Sequence, residues 1–264
     1  MKKILFTSLV VSLFFGMYSC DSNVEINNKE IKEEVKLDSI SSSIEEVSDT
    51  NDVLGEEMIF TISELELNII DHGLVSVPDS ISNIQSDLKY ASSDNFMGFN
   101  LYGSLSKVYL QKEVMQKLIR SSEYLRKEHP SLNLLVYDAV RPRSVQQMMW
   151  DSLDMPVHQK VKFVSNPRNG SLHNFGCAVD ITISDSLGNA IDMGAGYDDI
   201  RKIAYPKYEK AYLDSGMISQ QQIDNRNLLR KVMRKGGFWG IQTEWWHFNA
   251  MSRDAARSKY KMVE

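Results

Sequence analysis

The chain has 264 residues, of which 42% are hydrophobic and 25% are charged, and its formal net charge is -5. This length fits one large domain with extensions, and the hydrophobic fraction is sufficient for a core. The weakly acidic balance gives no support for a nucleic-acid partner, because such proteins carry basic patches. Residues 21–57 hold twelve acidic residues and three lysines, so the negative charge belongs mostly to this segment and says nothing about a substrate.

The N-terminal residues have the pattern of an export signal. Two lysines precede an apolar run over residues 4–17 that is too short for a comfortable membrane span. Cys20 follows the run, and this arrangement resembles a bacterial lipoprotein signal, in which the cysteine becomes the first mature residue and carries lipid. We therefore predict a signal peptide over residues 1–19 and an exported lipoprotein, anchored to a membrane through Cys20 and facing the periplasm or the cell exterior. An ordinary secretory signal and an uncleaved membrane anchor are the alternatives.

The segment after the signal differs in composition from the remainder of the chain. Residues 20–57 are rich in acidic residues, serine and asparagine and lack a sustained hydrophobic period, which predicts a disordered tether. Apolar patterning begins near Met58, so we predict one folded domain over residues 58–264. If Cys20 carries lipid, no disulfide forms within the chain, and Cys177, the other cysteine, is predicted to be a buried small apolar residue.

Hydrophobic periodicity in the predicted domain indicates a mixture of helices and strands. Helical patterns cover residues 108–127, 144–153 and 219–235. Strand-like runs cover residues 132–137, 178–183 and 238–249. The order of these elements shows no regular alternation of strand and helix, which favours an α+β fold with a small, mainly antiparallel sheet flanked by helices.

Two short segments carry the residues that indicate a catalytic metal site. One runs from Ser171 to Asp180 and contains His173, and the other reads Glu244-Trp-Trp-His247. Two imidazoles and one carboxylate, from His173, Asp180 and His247, make three protein ligands, and a catalytic zinc has three with one open position. The spare Glu244 is the kind of group that removes a proton from a metal-activated water.

Each of these residues also has a simpler interpretation. A buried Asp180 can be satisfied by a salt bridge, His247 can be a hydrogen-bonded core histidine, and Glu244 can be a surface carboxylate. Glu244 and His247 are three residues apart in a strand-like region, where such residues face opposite ways. If both serve one metal, they must therefore lie at a bend or a bulge. The remaining histidines are predicted to lie on the surface: His72, His129 and His158.

Arg141 is a further candidate because it follows a strand-like run in the segment Tyr137-Asp-Ala-Val-Arg141-Pro142. A guanidinium at a strand end can hydrogen-bond the oxyanion that forms when water adds to a peptide carbonyl. The alternatives are a structural ion pair with Asp138 and an ordinary surface charge.

Four segments of the sequence, in order, resemble the D-alanyl-D-alanine dipeptidases of the zinc-dependent D,D-peptidase group, whose fold is shared with hedgehog signalling domains. The segments are residues 87–96, 137–142, 171–180 and 244–247, and the resemblance covers roughly residues 75–250. It implies one zinc ion per chain, held by His173, Asp180 and His247. It also implies that Glu244 is the general base and that Arg141 stabilises the tetrahedral intermediate.

The same resemblance implies which residues meet the substrate. Tyr90, Ser171 and Asp198 fall where family members contact the dipeptide, with Asp198 as a partner for its free amino group. The local sequence, without the resemblance, also allows Asp198 to be a carboxylate at a helix N-terminus, before Ile200.

The function that the resemblance implies is hydrolysis of D-alanyl-D-alanine, or a related small peptide derived from the cell wall, during wall-peptide turnover. The export signal favours a place of action outside the cytoplasm. Two alternatives remain open at this point. One is a D,D- or L,D-carboxypeptidase that acts on longer peptidoglycan stem peptides, and the other is a non-catalytic zinc-bearing binding module.

Overall fold

The computed structural model describes residues 62–264, except residues 79, 80, 82 and 162. The predicted signal peptide, Cys20, the tether and the predicted domain start at Met58 lie outside the described residues and stay predictions. The described part has the predicted α+β fold. None of its helices is both long and apolar enough to cross a bilayer.

The described residues form seven α-helices and seven strands. The helices are α1 (Glu64–Asp71), α2 (Lys112–Glu128), α3 (Arg143–Ser152), α4 (Val157–Lys160), α5 (Glu209–Asp214), α6 (Gln220–Gly236) and α7 (Arg253–Lys259). The strands are β1 (Val75–Ser76), β2 (Ile84–Ser86), β3 (Tyr109–Leu110), β4 (Asn133–Asp138), β5 (Ala178–Ser184), β6 (Trp239–Gly240) and β7 (His247–Asn249). Short 3₁₀ helices cover Lys89–Ala91, Leu172–Phe175, Lys202–Ala204 and Pro206–Tyr208.

Five strands form one mainly antiparallel sheet in the order β2-β4-β5-β7-β6. The pair β2–β4 is parallel, and the other three pairs are antiparallel. The register places Asp180 of β5 opposite Asp138 of β4 on one side and opposite His247 of β7 on the other. Because directly paired residues have Cβ atoms about 4.5–5.5 Å apart, the sheet aligns three polar residues in one row.

The two long helices pack against each other beside the sheet. On α6, Ser219 and Gln222 form a capping box at the start, and Gly237 ends the helix with a positive φ of 97°. At the crossing with α2, a Cβ on Gly236 would lie 2.0 Å from the Ser121 hydroxyl, so only glycine allows this approach. The predicted helix over residues 108–127 begins later than expected, because Leu110 and its neighbour pair with β1 instead.

The predicted strand over residues 238–249 is interrupted. Only the short strands β6 and β7 form, and residues 241–246 are an irregular loop. Trp245 and Trp246 are adjacent, and both are buried with 4% exposure, which breaks the alternation that a strand imposes. The aromatic content suggested continuous strand, but burial of both rings requires a bend. This bend lies between Glu244 and His247 and lets both side chains approach one site, as the interpretation with a shared metal required.

Candidate metal and active site

Three elements bring the predicted metal ligands together. His173 lies on the 3₁₀ helix Leu172–Phe175, Asp180 on β5, and His247 at the first residue of β7. His173 Nε2 lies 3.1 Å from His247 Nδ1 and 3.3 Å from Asp180 Oδ1. The third separation, between His247 Nδ1 and Asp180 Oδ1, is 2.9 Å. The convergence that the sequence predicted therefore exists in the structure.

The separations suit zinc. Four ligands at zinc's usual bond lengths of about 2.0–2.1 Å in a tetrahedron lie about 3.3 Å apart. The three observed separations of 2.9, 3.1 and 3.3 Å are close to the edges of such a tetrahedron. Two imidazoles and one carboxylate are also the donor types that zinc takes in catalytic sites. The residues present thus fit a zinc ion, and their roles as ligands remain predictions.

A glycine turn sets the distance between the first two ligands. Gly176 has a φ of 62°, in the left-handed region, and ends the 3₁₀ helix that carries His173. A Cβ at this position would lie 2.5 Å from a methyl carbon of Leu74. Glycine is required here for both backbone conformation and space, and the turn lets the chain enter β5 at Ala178, two residues before Asp180.

Both histidines are oriented by a second hydrogen bond. The distance from His173 Nδ1 to the Ala139 carbonyl oxygen is 2.6 Å, so Nδ1–H donates and Nε2 faces the other ligands. His247 Nε2 lies 2.8 Å from Asn249 Oδ1, which leaves Nδ1 of His247 facing them. Such partners fix the tautomer and ring orientation of metal-binding histidines. Asn249 was not predicted from the sequence, although its position two residues after His247 on a strand places it on the same face.

The charged groups in this cluster shift one another's pKa values. Burial raises the pKa of Asp180, but the charge and hydrogen bonds of His173 and His247 outweigh it and hold that pKa well below its usual range. Burial lowers the pKa of His247, but the hydrogen bond and charge of Asp180 outweigh it and raise that pKa to about 9. Without a cation, the carboxylate therefore carries a negative charge that a metal ion can neutralise.

Glu244 lies beside the cluster rather than within it. Its Oε2 is 3.9 Å from His247 Nδ1, and 35% of its side chain is exposed. The pKa of Glu244 is raised, chiefly because it is partly removed from water, and the charge of Asp180 adds to this rise against the opposing effect of His247. A carboxylate with a raised pKa next to a metal site is suited to accept a proton and later return it.

Arg141 forms the ion pair that the sequence left open as an alternative. Its Nε and Nη2 donate to Asp138 Oδ2 at 3.0 and 2.5 Å. Its Nη2 also lies 3.5 Å from Asp180 Oδ2, and the guanidinium carbon lies 4.8 Å from the centre of the Tyr90 ring. A guanidinium has five N–H donors, and the two on Nη1 take no part in these bonds. The ion pair thus orients the group and leaves donors for a ligand.

One cavity of about 490 Å³ unites these side chains. Every predicted catalytic, substrate-contacting and metal-ligating residue lies on its wall: Tyr90, Arg141, Ser171, His173, Asp180, Asp198, Glu244 and His247. The other histidines in the described residues are absent from the wall: His129 and His158 are exposed, as predicted, whereas His72 is half-buried. Cys177 is fully buried, as predicted, and does not line the cavity.

Asp198 occupies a strained turn on the cavity wall. Among the described residues other than glycine, it alone has a positive φ, 57°. It does not begin a helix, since the next helical residue is Lys202, so the helix-terminus interpretation is wrong. The Tyr90 hydroxyl donates to Asp198 Oδ2 at 2.9 Å. Burial, followed by the charge of Asp180, raises the pKa of Asp198 to about 8.

Two further hydrogen bonds hold wall residues in place. The Ser171 hydroxyl donates to Gln146 Oε1 at 3.0 Å, which orients the serine at the start of the segment that carries His173. The Tyr197 hydroxyl donates to Asp180 Oδ2 at 3.1 Å and so engages the carboxylate oxygen that does not contact His247. Tyr197 was not predicted from the sequence, because no periodicity or motif marks a tyrosine in a loop as a partner of a distant strand residue.

A sequence model of the family described as D-ala-D-ala dipeptidase matches residues 71–263. The chain belongs to this D-Ala-D-Ala dipeptidase family. It is 35% identical to the D-alanyl-D-alanine dipeptidase of Escherichia coli K12 over 175 residues, which are 66% of this chain and 83% of that protein. It is 23% identical over 193 residues to the D-alanyl-D-alanine dipeptidase of Enterococcus faecalis V583, covering 68% of this chain and 92% of the relative.

Among solved structures, the LdcB LD-carboxypeptidase matches 60% of this chain and 67% of its own, with 18% identity and a TM-score of 0.36. The D-Ala-D-Ala dipeptidase family is a metallopeptidase family, so the chain is an enzyme with a metal-dependent hydrolytic site. Among the described residues, His173, Asp180 and His247 form a group that could hold this metal ion, because their potential ligand atoms all lie within 4.8 Å of one another.

Proposed function

We propose that the chain is a zinc-dependent dipeptidase that hydrolyses D-alanyl-D-alanine derived from the cell wall. The observation that carries this proposal is the convergence of two imidazoles and a carboxylate at separations of 2.9–3.3 Å, beside Glu244 and Arg141 in one cavity. Family membership and the names of its relatives support the substrate. One zinc ion per chain would be held by His173, Asp180 and His247.

Zinc, when bound, supplies Lewis acidity that polarises a peptide carbonyl and makes water more acidic. The residues of the chain perform the remaining tasks. A Glu244 carboxylate oxygen takes a proton from the attacking water and then delivers it to the nitrogen of the leaving amino acid. The Arg141 Nη1 donors hydrogen-bond the carbonyl oxygen as it gains negative charge.

The wall formed by Tyr90 and Asp198 is suited to bind the free amino end of a dipeptide. An ammonium group donates three hydrogen bonds, and Asp198 is a carboxylate held in place by the Tyr90 hydroxyl. A substrate that places its ammonium there has its first peptide bond within the cavity, so the second residue is the leaving group. This arrangement favours cleavage of a free dipeptide over trimming of a longer chain.

We also propose, on the sequence pattern, that the enzyme is exported and anchored to a membrane by lipid on Cys20. The acidic segment between residue 20 and the folded domain would then act as a flexible tether. Metabolic labelling with a fatty acid, followed by purification, is expected to mark the native chain and not the Cys20→Ala variant. Labelling of both chains, or of neither, contradicts lipidation at this cysteine.

The function is tested by assaying the purified, zinc-loaded protein on D-Ala-D-Ala, L-Ala-L-Ala, mixed dipeptides and an intact stem pentapeptide that ends in D-Ala-D-Ala. We expect rapid hydrolysis of D-Ala-D-Ala and little release of D-alanine from the pentapeptide. Preferential cleavage of the pentapeptide would instead indicate a carboxypeptidase. A protein that binds zinc but cleaves none of these peptides would indicate a non-catalytic module. Glu244→Gln, prepared in parallel, controls for contaminating peptidases.

A further inference from the structure

Tyr102 is a buried tyrosine behind the cavity wall, and it is not among the residues that line the cavity. A tight turn fixes its backbone, because Asn100 Oδ1 accepts hydrogen bonds from the N–H groups of Tyr102 and Gly103 at 2.9 and 2.8 Å. Its hydroxyl donates to Asp138 Oδ1 at 2.5 Å. The side chain is 2% exposed, so its position is set by the protein and not by solvent.

Asp138 divides its two oxygens between two partners. Oδ1 accepts from Tyr102, while Oδ2 accepts both hydrogen bonds from Arg141. Oδ2 is also 3.5 Å from His173 Nδ1. The carboxylate is fully buried, so water does not replace a lost partner. Without the Tyr102 bond, the carboxylate is held through Oδ2 alone, and its last torsion angle, which is broad for aspartate, is less restricted.

Arg141 is held from two directions, and Tyr102 supports both. Asp138 holds the guanidinium through Nε and Nη2, and the Tyr90 ring lies against its face at 4.8 Å. Tyr102 hydrogen-bonds to Asp138 and packs edge-on against Tyr90, with ring centres 5.9 Å apart. The orientation of the Nη1 donors therefore depends on Tyr102, a side chain that does not line the cavity and makes its side-chain hydrogen bond to Asp138 rather than to a proposed metal ligand.

We propose that Tyr102 is a positioning residue for hydrolysis, which acts through Asp138 to aim the Arg141 guanidinium at the developing oxyanion. This inference rests on the proposed function. The physical reason is that a hydrogen-bond donor stabilises the transition state only when it is already oriented. Displacement of such a donor by about 1 Å can lower the rate about 100-fold. The competing explanation is structural, namely that Asp138 serves only to satisfy the buried tyrosine hydroxyl.

The test compares Tyr102→Phe with Tyr109→Phe. Tyr109 is a matched control, because it is also buried and its hydroxyl also donates to a carboxylate, Glu66 Oε1, at 2.6 Å, away from the cavity wall. For Tyr102→Phe we expect kcat on D-Ala-D-Ala to fall about 10- to 100-fold, with KM within about twofold of the native value. Zinc content, measured by elemental analysis, is expected to stay at one per chain. Tyr109→Phe is expected to keep the native kcat.

A double-mutant cycle separates positioning from general stability. In an Arg141→Gln background, Tyr102→Phe is expected to reduce kcat by less than about twofold, because the group that it orients is gone. A second full reduction in that background would overturn the proposal, as would a native kcat in Tyr102→Phe alone. Asp138→Asn provides a second variant, with the same non-additivity expected, if Tyr102→Phe does not fold. A native enzyme that binds zinc without cleaving D-Ala-D-Ala would overturn the proposed function and this inference with it.

Discussion

Asp180 and Asp198 line the same cavity, yet their carboxyl groups respond to it in opposite ways. Burial raises the pKa of both. Two imidazoles then pull the pKa of Asp180 well below its usual range, whereas the charge of Asp180 raises the pKa of Asp198 to about 8. One side of the cavity is thus prepared to hold a metal cation, and the other stays largely uncharged at neutral pH until a positive group arrives.

The two sides are also linked. Neutralisation of Asp180 by a bound cation removes part of the charge that raises the pKa of Asp198, because Asp180 is the second largest cause of that rise. A filled metal site therefore prepares the opposite wall to ionise and to accept an ammonium group. Both sides would then be ready for a zwitterionic dipeptide at the same time.

The largest expected effect comes from a substitution that removes the proton transfer and leaves both the metal-ligand side and the Asp198 side of the cavity intact. Glu244→Gln keeps the shape of the side chain but cannot take a proton, so we expect kcat to fall by about 10²- to 10⁴-fold. Zinc content and KM are expected to stay near the native values, because Glu244 lies outside the ligand cluster. Glu128→Gln, on the exposed end of α2, is the matched control. Full activity of Glu244→Gln would remove this residue from the mechanism.

The second prediction weakens the metal side alone. Asn249→Ala removes the acceptor that orients His247, and loss of such a partner typically costs about 10- to 100-fold in metal affinity. We expect a zinc titration with a competing chelator to show this loss, while kcat at saturating zinc falls much less. Asn227→Ala, at an exposed position on α6, should bind zinc as the native chain does. An unchanged affinity in Asn249→Ala would mean that the strand alone orients His247.

The sequence predicted the metal-ligand side of the cavity, which depends on regular secondary structure, better than the wall around Asp198. His173, Asp180 and His247 were recognisable because ligand chemistry restricts residue type, and because paired strands carry the second and third into one row. The loop that places Glu244 was foreseen as a necessary bend, although its limits were not. Tyr197, Asn249 and Tyr102 were missed: their roles depend on contacts between residues far apart in the chain or on side-chain direction, which periodicity does not encode.

The wall around Asp198 also depends on contacts between residues far apart in the chain, which the sequence does not reveal. Its strained φ of 57° and its bond to Tyr90, 108 residues away in sequence, come from tertiary structure. Sequence alone allowed a helix-terminal aspartate at this position with equal ease. Only the resemblance to a known family assigned it to the substrate.

The third prediction weakens the amine side alone and depends on pH. Below its pKa of about 8, Asp198 in the free protein carries a proton that it must lose before it can pair with an ammonium group, so binding weakens as pH falls. We expect KM for D-Ala-D-Ala to rise as pH falls, with a midpoint below 8 when zinc is bound.

Asp198→Asn is expected to raise KM about tenfold at pH 8, the cost of one charge-assisted hydrogen bond at a partly exposed site, and to abolish its rise at lower pH. Asp199→Asn is the matched control, because Asp199 lines the same cavity but its carboxylate is already held by Arg201 at 2.6 Å. The same pH dependence of KM in Asp198→Asn as in the native enzyme would show that another group binds the amine. The two carboxyl groups would then differ in pKa without differing in task.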